Sequence, residues 1–403
     1  MGSKSIRVAP DERFACQSCG RCCTMWSVTV DRDRAERLRR HDWSHIGGGD
    51  PFVRNRGPGD EYRIRMVNGR CFFLNDDNRC RIHIELRYED KPETCKAFPL
   101  HLTRVGDATH ARLSFYCPAV SANEGKELRN QNKWLQATRK GAGDVSRPGP
   151  LKLNDDMEIG LGEAERIEAR LLAWVEDREQ TMADRIAACA DLVRTLSARS
   201  RKKGKRAIGE VLDEAGRDGL AAFAEVGREG GAASRAGPVL SLFLGQDTGS
   251  QSKPARLGHF FGVRAANLGL CRLKSGAIGA KASWRRIRKV RFDPPTPNDE
   301  LLTRYFVSKL RGKRYLAGEA TLVTGFNLLV VAYGVINVLA RLRAASEGRE
   351  ACNEEDVEAA VQAADLLVVE HTSILHGALF AKVVDTLLTP TGLCSSMLAR
   401  LGV

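Results

Sequence analysis

Eight of the chain's twelve cysteines fall between residues 16 and 117, and four of them crowd one stretch: Cys16, Cys19, Cys22 and Cys23. Cys71, Cys80, Cys95 and Cys117 follow, while Cys189, Cys271, Cys352 and Cys394 are scattered singly. A lone cysteine behaves as a small buried hydrophobe. Three thiols, each separated by two residues, need another reason. A loop of the form C-x2-C-x2-C can turn its sulfurs onto one centre while backbone N–H groups face them, which is how iron–sulfur and zinc sites are held. The front end of the chain is therefore expected to fold around metal.

Disulfides are the competing use of so many thiols. The N-terminus, Met1 to Arg7, carries charge but no apolar h-region, so no secretory signal is read there. The chain is also far longer than the small domains that need disulfide staples. The spacing rule for intracellular cysteines favours metal, and a cytoplasmic location is expected. Gly2 does not signal myristoylation, because Ile6 stands where Ser or Thr belongs.

At 403 residues two domains are expected, each large enough to bury a core. The net charge of +13 implies attraction to acidic partners. Two denser basic runs stand out, Arg199 to Arg206 and Arg285 to Arg291. The first reads as a solvated linker. The second, behind Trp284, is a candidate substrate-facing patch, and neither amounts to a nucleic-acid motif. From Ala320 to Ala340 no charged residue appears, a length that would span a bilayer. Thr321, Thr324, Asn327 and Asn337 interrupt it, so a buried central helix is expected rather than a membrane span.

The fold class expected is α+β: a small, β-hairpin-rich cysteine module followed by a mainly α-helical domain. Residues 1–140 form the module, 141–158 a linker and 159–403 the helical domain. Trp26, Val28 and Val30 share a strand face, as do Tyr62, Ile64 and Met66 before the Asn68-Gly69 turn. Cys71 to Leu74, the turn Asn75 to Asn78, and Cys80, Ile82 and Ile84 suggest a second hairpin. Leu100 and Leu102, then Gly106-Asp107, then Ala111, Leu113 and Phe115 suggest a third. A short helix is expected from Arg32 to Arg40. Gly141 to Pro150 is a linker by composition. Beyond it, Ile167, Leu171, Leu172 and Val175 form a helical stripe, as do Ile186, Ala190 and Val193. Gly230 to Gly237 reads as a loop and Asp293 to Pro297 as a breaker. Asn298 and Asn353 are candidate N-caps, the latter with three acids in its first turn.

Cys22 and Cys23 are adjacent, and neighbouring side chains tend to point apart, so they are assigned different partners. Cys16, Cys19 and Cys22 form three corners of one centre. Cys117, which precedes Pro118, is a candidate fourth, as the remote cysteine of a bacterial ferredoxin motif precedes its proline. Cys23, Cys71, Cys80 and Cys95 remain for a zinc site or a second cluster. His83 and His101 are read as structural.

The strings Phe14-Ala-Cys16-Gln-Ser-Cys19-Gly-Arg-Cys22-Cys23, Cys71-Phe-Phe-Leu74, Cys80-Arg-Ile-His83 and Lys91-Pro-Glu-Thr-Cys95-Lys-Ala-Phe98-Pro99 resemble the cysteine-cluster proteins described as zinc- or iron-chelating domains. The longer architecture resembles the flagellin lysine-N-methylases, through Glu300 to Phe306, the apolar stretch Thr321 to Leu342, and Val369-Glu370-His371. This chain has the tighter C-x2-C-x2-C-C spacing. The resemblance implies an iron–sulfur centre, 4Fe-4S, with zinc as the other metal, and S-adenosylmethionine-dependent methylation of protein lysines. Cys16, Cys19 and Cys22 as a three-cysteine set would leave an iron open to the cofactor, which competes with Cys117 as fourth ligand. Glu370 and His371 are candidates to deprotonate the lysine, since the attacking amine must be neutral. No glycine-rich Rossmann signature is present; Gly276-Ala-Ile-Gly279 is too short. The partner expected is a flagellin-like or other acidic protein, not nucleic acid. A non-enzymatic metal-binding interaction module is the alternative.

Overall fold

Apolar alternation at Leu100 and Leu102, answered directly by Leu113 and Ala111, builds the central hairpin of the front half. The computed structural model describes residues 5–24, 27–55, 61–141, 145–146, 149–226, 268–292, 298–316 and 320–370, with isolated positions between 244 and 266. Trp26, the Gly230 to Gly237 loop, the Asp293 to Pro297 breaker and His371 lie outside the described residues.

Strands β1 (Ile6–Val8) and β2 (Arg13–Phe14) lead into the cysteine loop. Next come β3 (Thr29–Asp31), helix α1 (Arg32–Arg39), β4 (Phe52–Arg54) and β5 (Glu61–Ile64), with the strands in the antiparallel order β3-β5-β4. The Asp31 side chain caps α1, accepting from the Arg34 N–H at 2.8 Å. β6 (Met66–Val67) and β7 (Arg70–Cys71) form the hairpin expected at Asn68-Gly69, where both turn residues take the positive φ such a turn requires.

The second expected hairpin is corrected. Leu74 and Cys80 do pair, but the chain then coils into α2 (Arg81–Glu85). Ile82 is buried while Ile84 is 50 % exposed, so their spacing of two marks no strand face. A further short helix, α3 (Glu93–Ala97), carries Cys95. β8 (Leu100–Val105) and β9 (Ala108–Leu113) then pair in full register, with β1 parallel to β9 on one side. α4 (Pro118–Ser121), β10 (Lys126–Glu127), which pairs with β2, and α5 (Asn132–Gly141) complete this half.

Of the stretch expected as a linker, residues 142–144 and 147–148 lie outside the described residues, and the described parts pair with the fold. β11 (Val145–Ser146) runs parallel to β8, while β12 (Lys152–Asn154) and β13 (Met157–Glu158) pair with each other. Leu153 is fully buried, and the buried Asn154 amide donates to Ser197 and Ser200 of a later helix. Gly and Pro content signalled turns here, not a free tether.

Beyond residue 160 the protein is mainly helical: α6 (Leu161–Val175), α7 (Met182–Lys203), α8 (Arg206–Val226), the hairpin β14 (Arg272–Ser275) and β15 (Ala280–Ser283), α9 (Trp284–Lys289), α10 (Asn298–Arg311), α11 (Leu322–Ser346) and α12 (Glu354–Ala364). Asn353 closes a capping box with Asp356, as its position suggested. The uncharged stretch is α11. Among the described residues it is the helix long and apolar enough to cross a membrane, and its apolar stretch is wholly enclosed by the protein. Gly325 is needed there, because a Cβ would fall 1.7 Å from the Tyr315 carbonyl oxygen.

Apolar packing falls into two cores, one gathered from residues 28–95 and one from residues 100 onward with Ile6, Val8 and Phe14 against it. A small core gathers Val28, Val30, Leu38, Trp43, Ile64, Phe73 and neighbours, with Cys71, Cys80 and Cys95 against its edge. The β8–β9 hairpin belongs instead to the large core of the helical half, and Cys117 packs against that one. The thiols lie on the seam between the two.

Candidate metal centre

Each cysteine is placed by a local backbone device. In the first loop Ser18 and Gly20 both take positive φ, at 54° and 71°, between Cys16 and Cys22. Gly20 is also a close approach: a Cβ there would lie 2.8 Å from Asn78 Oδ1, in the turn that precedes Cys80. Residues Arg21–Cys23 then form one 3₁₀ turn, closed by the Cys23 N–H to the Gly20 carbonyl at 2.9 Å. That turn corrects the expectation that Cys22 and Cys23 point apart, since their sulfurs stand 3.8 Å from each other.

Cys71 ends β7, and Cys80 stands just before α2. Cys95 sits in α3, which is tied to α1 by the Arg34–Glu93 ion pair at 2.8 Å. Phe14, two residues before Cys16, stacks on Trp134 at 5.2 Å, and the Trp134 indole donates to the Lys96 carbonyl at 2.9 Å. Cys117 precedes Pro118, the first residue of α4.

All eight cysteines line a single cavity of about 460 Å³, together with Arg21, Asn78, His83, Lys91 and Tyr116 among others. His101 is not in its wall, and Glu370 and His371 are not brought to it by any described contact. Glu370 ends the π-helical turn Asp365–Glu370 that follows α12, and its side chain lies outside the described residues. Among the described residues no three His, Cys, Asp or Glu side chains converge tightly enough, as they stand, to close on an ion.

The electrostatics are those of thiols waiting for a cation. Burial pushes the Cys117 thiol up to about 11, opposed by the backbone amides of Val120 and Ala119 at the start of α4, while Cys19 and Cys22 add to the rise. Burial likewise pushes Cys71 up to about 12, with Cys80 and Cys22 contributing, and pushes Cys95 higher still beside Cys71 and Cys80. Cys22 goes the other way, down to about 7, because it is hydrogen-bonded by Cys23 and faced by the Lys91 ammonium. Cys23 is pushed up as the protonated member of that pair. Buried thiolates are costly without a positive charge among them, and a bound metal supplies it while releasing their protons. The donor set therefore fits zinc or iron: soft sulfur ligands in excess of the four that a single centre needs.

Sequence reasoning missed the anchors from the helical half. The Arg21 guanidinium, inside the cysteine loop, lies 4.9 Å over the Tyr116 ring and donates to Gln362 of α12. Asp365, fully buried, accepts from the Ser114 hydroxyl at 2.9 Å and from the Tyr116 N–H at 3.2 Å, next to Cys117. Its other oxygen is 2.6 Å from Lys309 Nζ, also fully buried. Partners about 250 residues away in sequence leave no local signal.

Fold and cavity together define a cysteine-cluster domain, its eight thiols around one cavity, packed against a helical body. Residues 15–124 match the family model CxxCxxCC, described as "Putative zinc- or iron-chelating domain". Those residues are a domain of that cysteine-cluster type. The chain is also similar to an uncharacterised protein of Methanocaldococcus jannaschii, 27 % identical over 120 residues, covering 29 % of this chain and 41 % of that protein. It is similar to the lysine-N-methylase of Salmonella typhimurium, 25 % identical over 122 residues, covering 27 % of this chain and 29 % of the methylase. The chain thus spans less than half the length of either relative. No solved structure matches it.

Proposed function

We propose that this protein is an iron–sulfur enzyme that uses S-adenosylmethionine to methylate lysine side chains of a partner protein. The observation that carries the reading is the single cavity holding all eight thiols at the seam between the cysteine domain and the helical half. The similarity to a lysine-N-methylase supports the reaction type.

Cys16, Cys19 and Cys22 would hold the cluster, with Cys117 as the fourth donor in the state without cofactor. Cys19 and Cys22 both raise the buried Cys117 thiol, which supports that grouping, and Cys22 acts on Cys71 and Cys95 as well. Cys23, Cys71, Cys80 and Cys95 form the second set, and Cys71, Cys80 and Cys95 face one another. When bound, a cluster with an open iron supplies a site for the amino and carboxylate groups of the cofactor. The methyl group leaves the sulfonium for the lysine nitrogen, and the lysine must first lose a proton. Glu370, which ends the turn that begins with Asp365, or His371 would take that proton. Arg21 and Lys91 add positive charge to the cavity wall and suit a carboxylate there.

The test is titration of S-adenosylmethionine into anaerobically purified, metal-replete protein, followed calorimetrically and by visible absorption. Transfer of labelled methyl groups to proteins of a cell extract follows. Affinity for the cofactor and a labelled lysine product are expected. A replete protein with no cofactor affinity overturns the methylase reading and leaves a non-enzymatic metal-binding module.

A further inference from the structure

Residues 248–292 contain eleven Lys and Arg and no Asp or Glu. For 45 residues of a chain that carries 50 acids, this is a strong local bias. The part of this segment formed by β14, β15 and α9 shows where the charge goes. Leu273, Ser275, Ala280 and Ala282 alternate inward, and the three apolar ones join the large core. Arg272, Lys274 and Lys281 alternate outward and are exposed. Pairing sets Lys274 directly opposite Lys281 on that outer face. Like charges directly opposite each other in a ladder are destabilising, and among the described residues no carboxylate pairs with either lysine. Arg285, Arg288 and Lys289 of α9 are exposed beside them and equally unpaired among the described residues. Arg286 and Arg291 border the Gly348 to Ala351 turn with its two neighbouring acids, Glu347 and Glu350, and are left out of the patch.

A repulsive pair on a well-packed hairpin is relieved by an anionic occupant. Its chemistry is narrowed by the turn just before β14, where Leu268 and Leu270 are 68 % and 77 % exposed on either side of Gly269. Two leucines beside a basic face match the apolar centre and charged rim of a protein interface. A phosphate backbone offers leucine nothing. A bilayer surface calls for a broader apolar face, and the aromatic at this site, Trp284, packs against the core. We infer that the outer face of β14–β15 and α9 is a docking surface for an acidic protein segment carrying apolar side chains among its carboxylates. This surface stands apart from the cysteine cavity: none of its residues lines that cavity. The inference holds whether or not the protein is a methylase.

The experiment uses the full chain and a fluorescent peptide in which Asp and Glu alternate with two leucines, read by anisotropy, with oligouridylate RNA and phosphatidylserine vesicles as parallel arms. Saturable binding of the peptide that weakens with added salt is expected. The Lys274→Glu/Lys281→Glu variant should lose about tenfold or more in affinity, the scale of losing close charge contacts at an interface. Leu268→Ser/Leu270→Ser should weaken peptide binding at unchanged charge. Lys274→Ser/Lys281→Ser, which keeps the face polar, serves if the reversal perturbs folding. Unchanged peptide affinity in both lysine variants overturns the inference. So does RNA or vesicle binding that matches or exceeds that of the peptide.

Discussion

Replacing Asp365 by Ala removes the carboxylate that stands 2.6 Å from the buried Lys309 ammonium. Both side chains are fully buried. The lysine is left charged beside the rings of Phe115 and Tyr305, at 5.5 and 5.2 Å, which return only part of the lost attraction. Breaking one side of such a pair costs about 3–5 kcal/mol. The Ser114 hydroxyl and Tyr116 N–H also lose their acceptor, at roughly 1 kcal/mol or more each. Asp365→Ala should therefore lose about 5 kcal/mol in all, most of what holds a typical domain folded. The double variant Asp365→Leu/Lys309→Met should recover much of it, since apolar pairs often replace buried ion pairs at little cost. Urea denaturation of the three proteins reads the difference, and metal content reads whether the turn from Ser114 to Cys117 keeps its place. If Asp365→Ala loses less than about 1 kcal/mol, or the double variant is as unstable as the single, the buried pair does not organise this interface as argued.

Cys19→Ser and Cys80→Ser should each lose metal and solubility, whereas Cys189→Ser, buried in α7 beside the Leu171 carbonyl, should keep its metal; elemental analysis decides. Gly20→Ala should lower metal uptake, because it forces a side chain into positive φ and against Asn78. Glu12 is held at about 7, against 4.5 unfolded, by burial, which its bond from Ser308 and the cations Lys309, Arg112 and Arg304 only partly offset. Its folded pKa is raised, so the folded state binds the extra proton between pH 4.5 and 7, and stability falls as pH rises through that window. The loss is about 3 kcal/mol at most. Glu12→Gln should flatten that part of the stability–pH curve, and an unchanged slope would contradict it.

The hairpins at Asn68-Gly69 and at Gly106 were legible because turn residues and alternation agreed with the final packing. The helices α6 and α7 were legible for the same reason at a period of 3.6 residues, and the start of α12 from its Asn353 cap. α2 was misread because five residues are too few for a helical period, and Ile82 and Ile84 imitate a strand. The spacing of the eight thiols pointed to one shared module, and a single cavity is lined by all of them. Their support was not legible: Arg21 with Gln362, and Asp365 with Tyr116, join segments brought together by the fold alone. The side-by-side sulfurs of Cys22 and Cys23 depend on a 3₁₀ turn that residue types do not announce.

The central claim is that the eight-cysteine cavity is a metal site. The most direct measurement is iron, zinc and acid-labile sulfide per chain in anaerobically purified protein, alongside a count of free thiols before and after chelation. The account predicts bound metal, with sulfide if the centre is iron–sulfur, and thiols that become reactive only when the metal is stripped. Protein that is folded, free of metal and sulfide, and reactive at all eight thiols would contradict it.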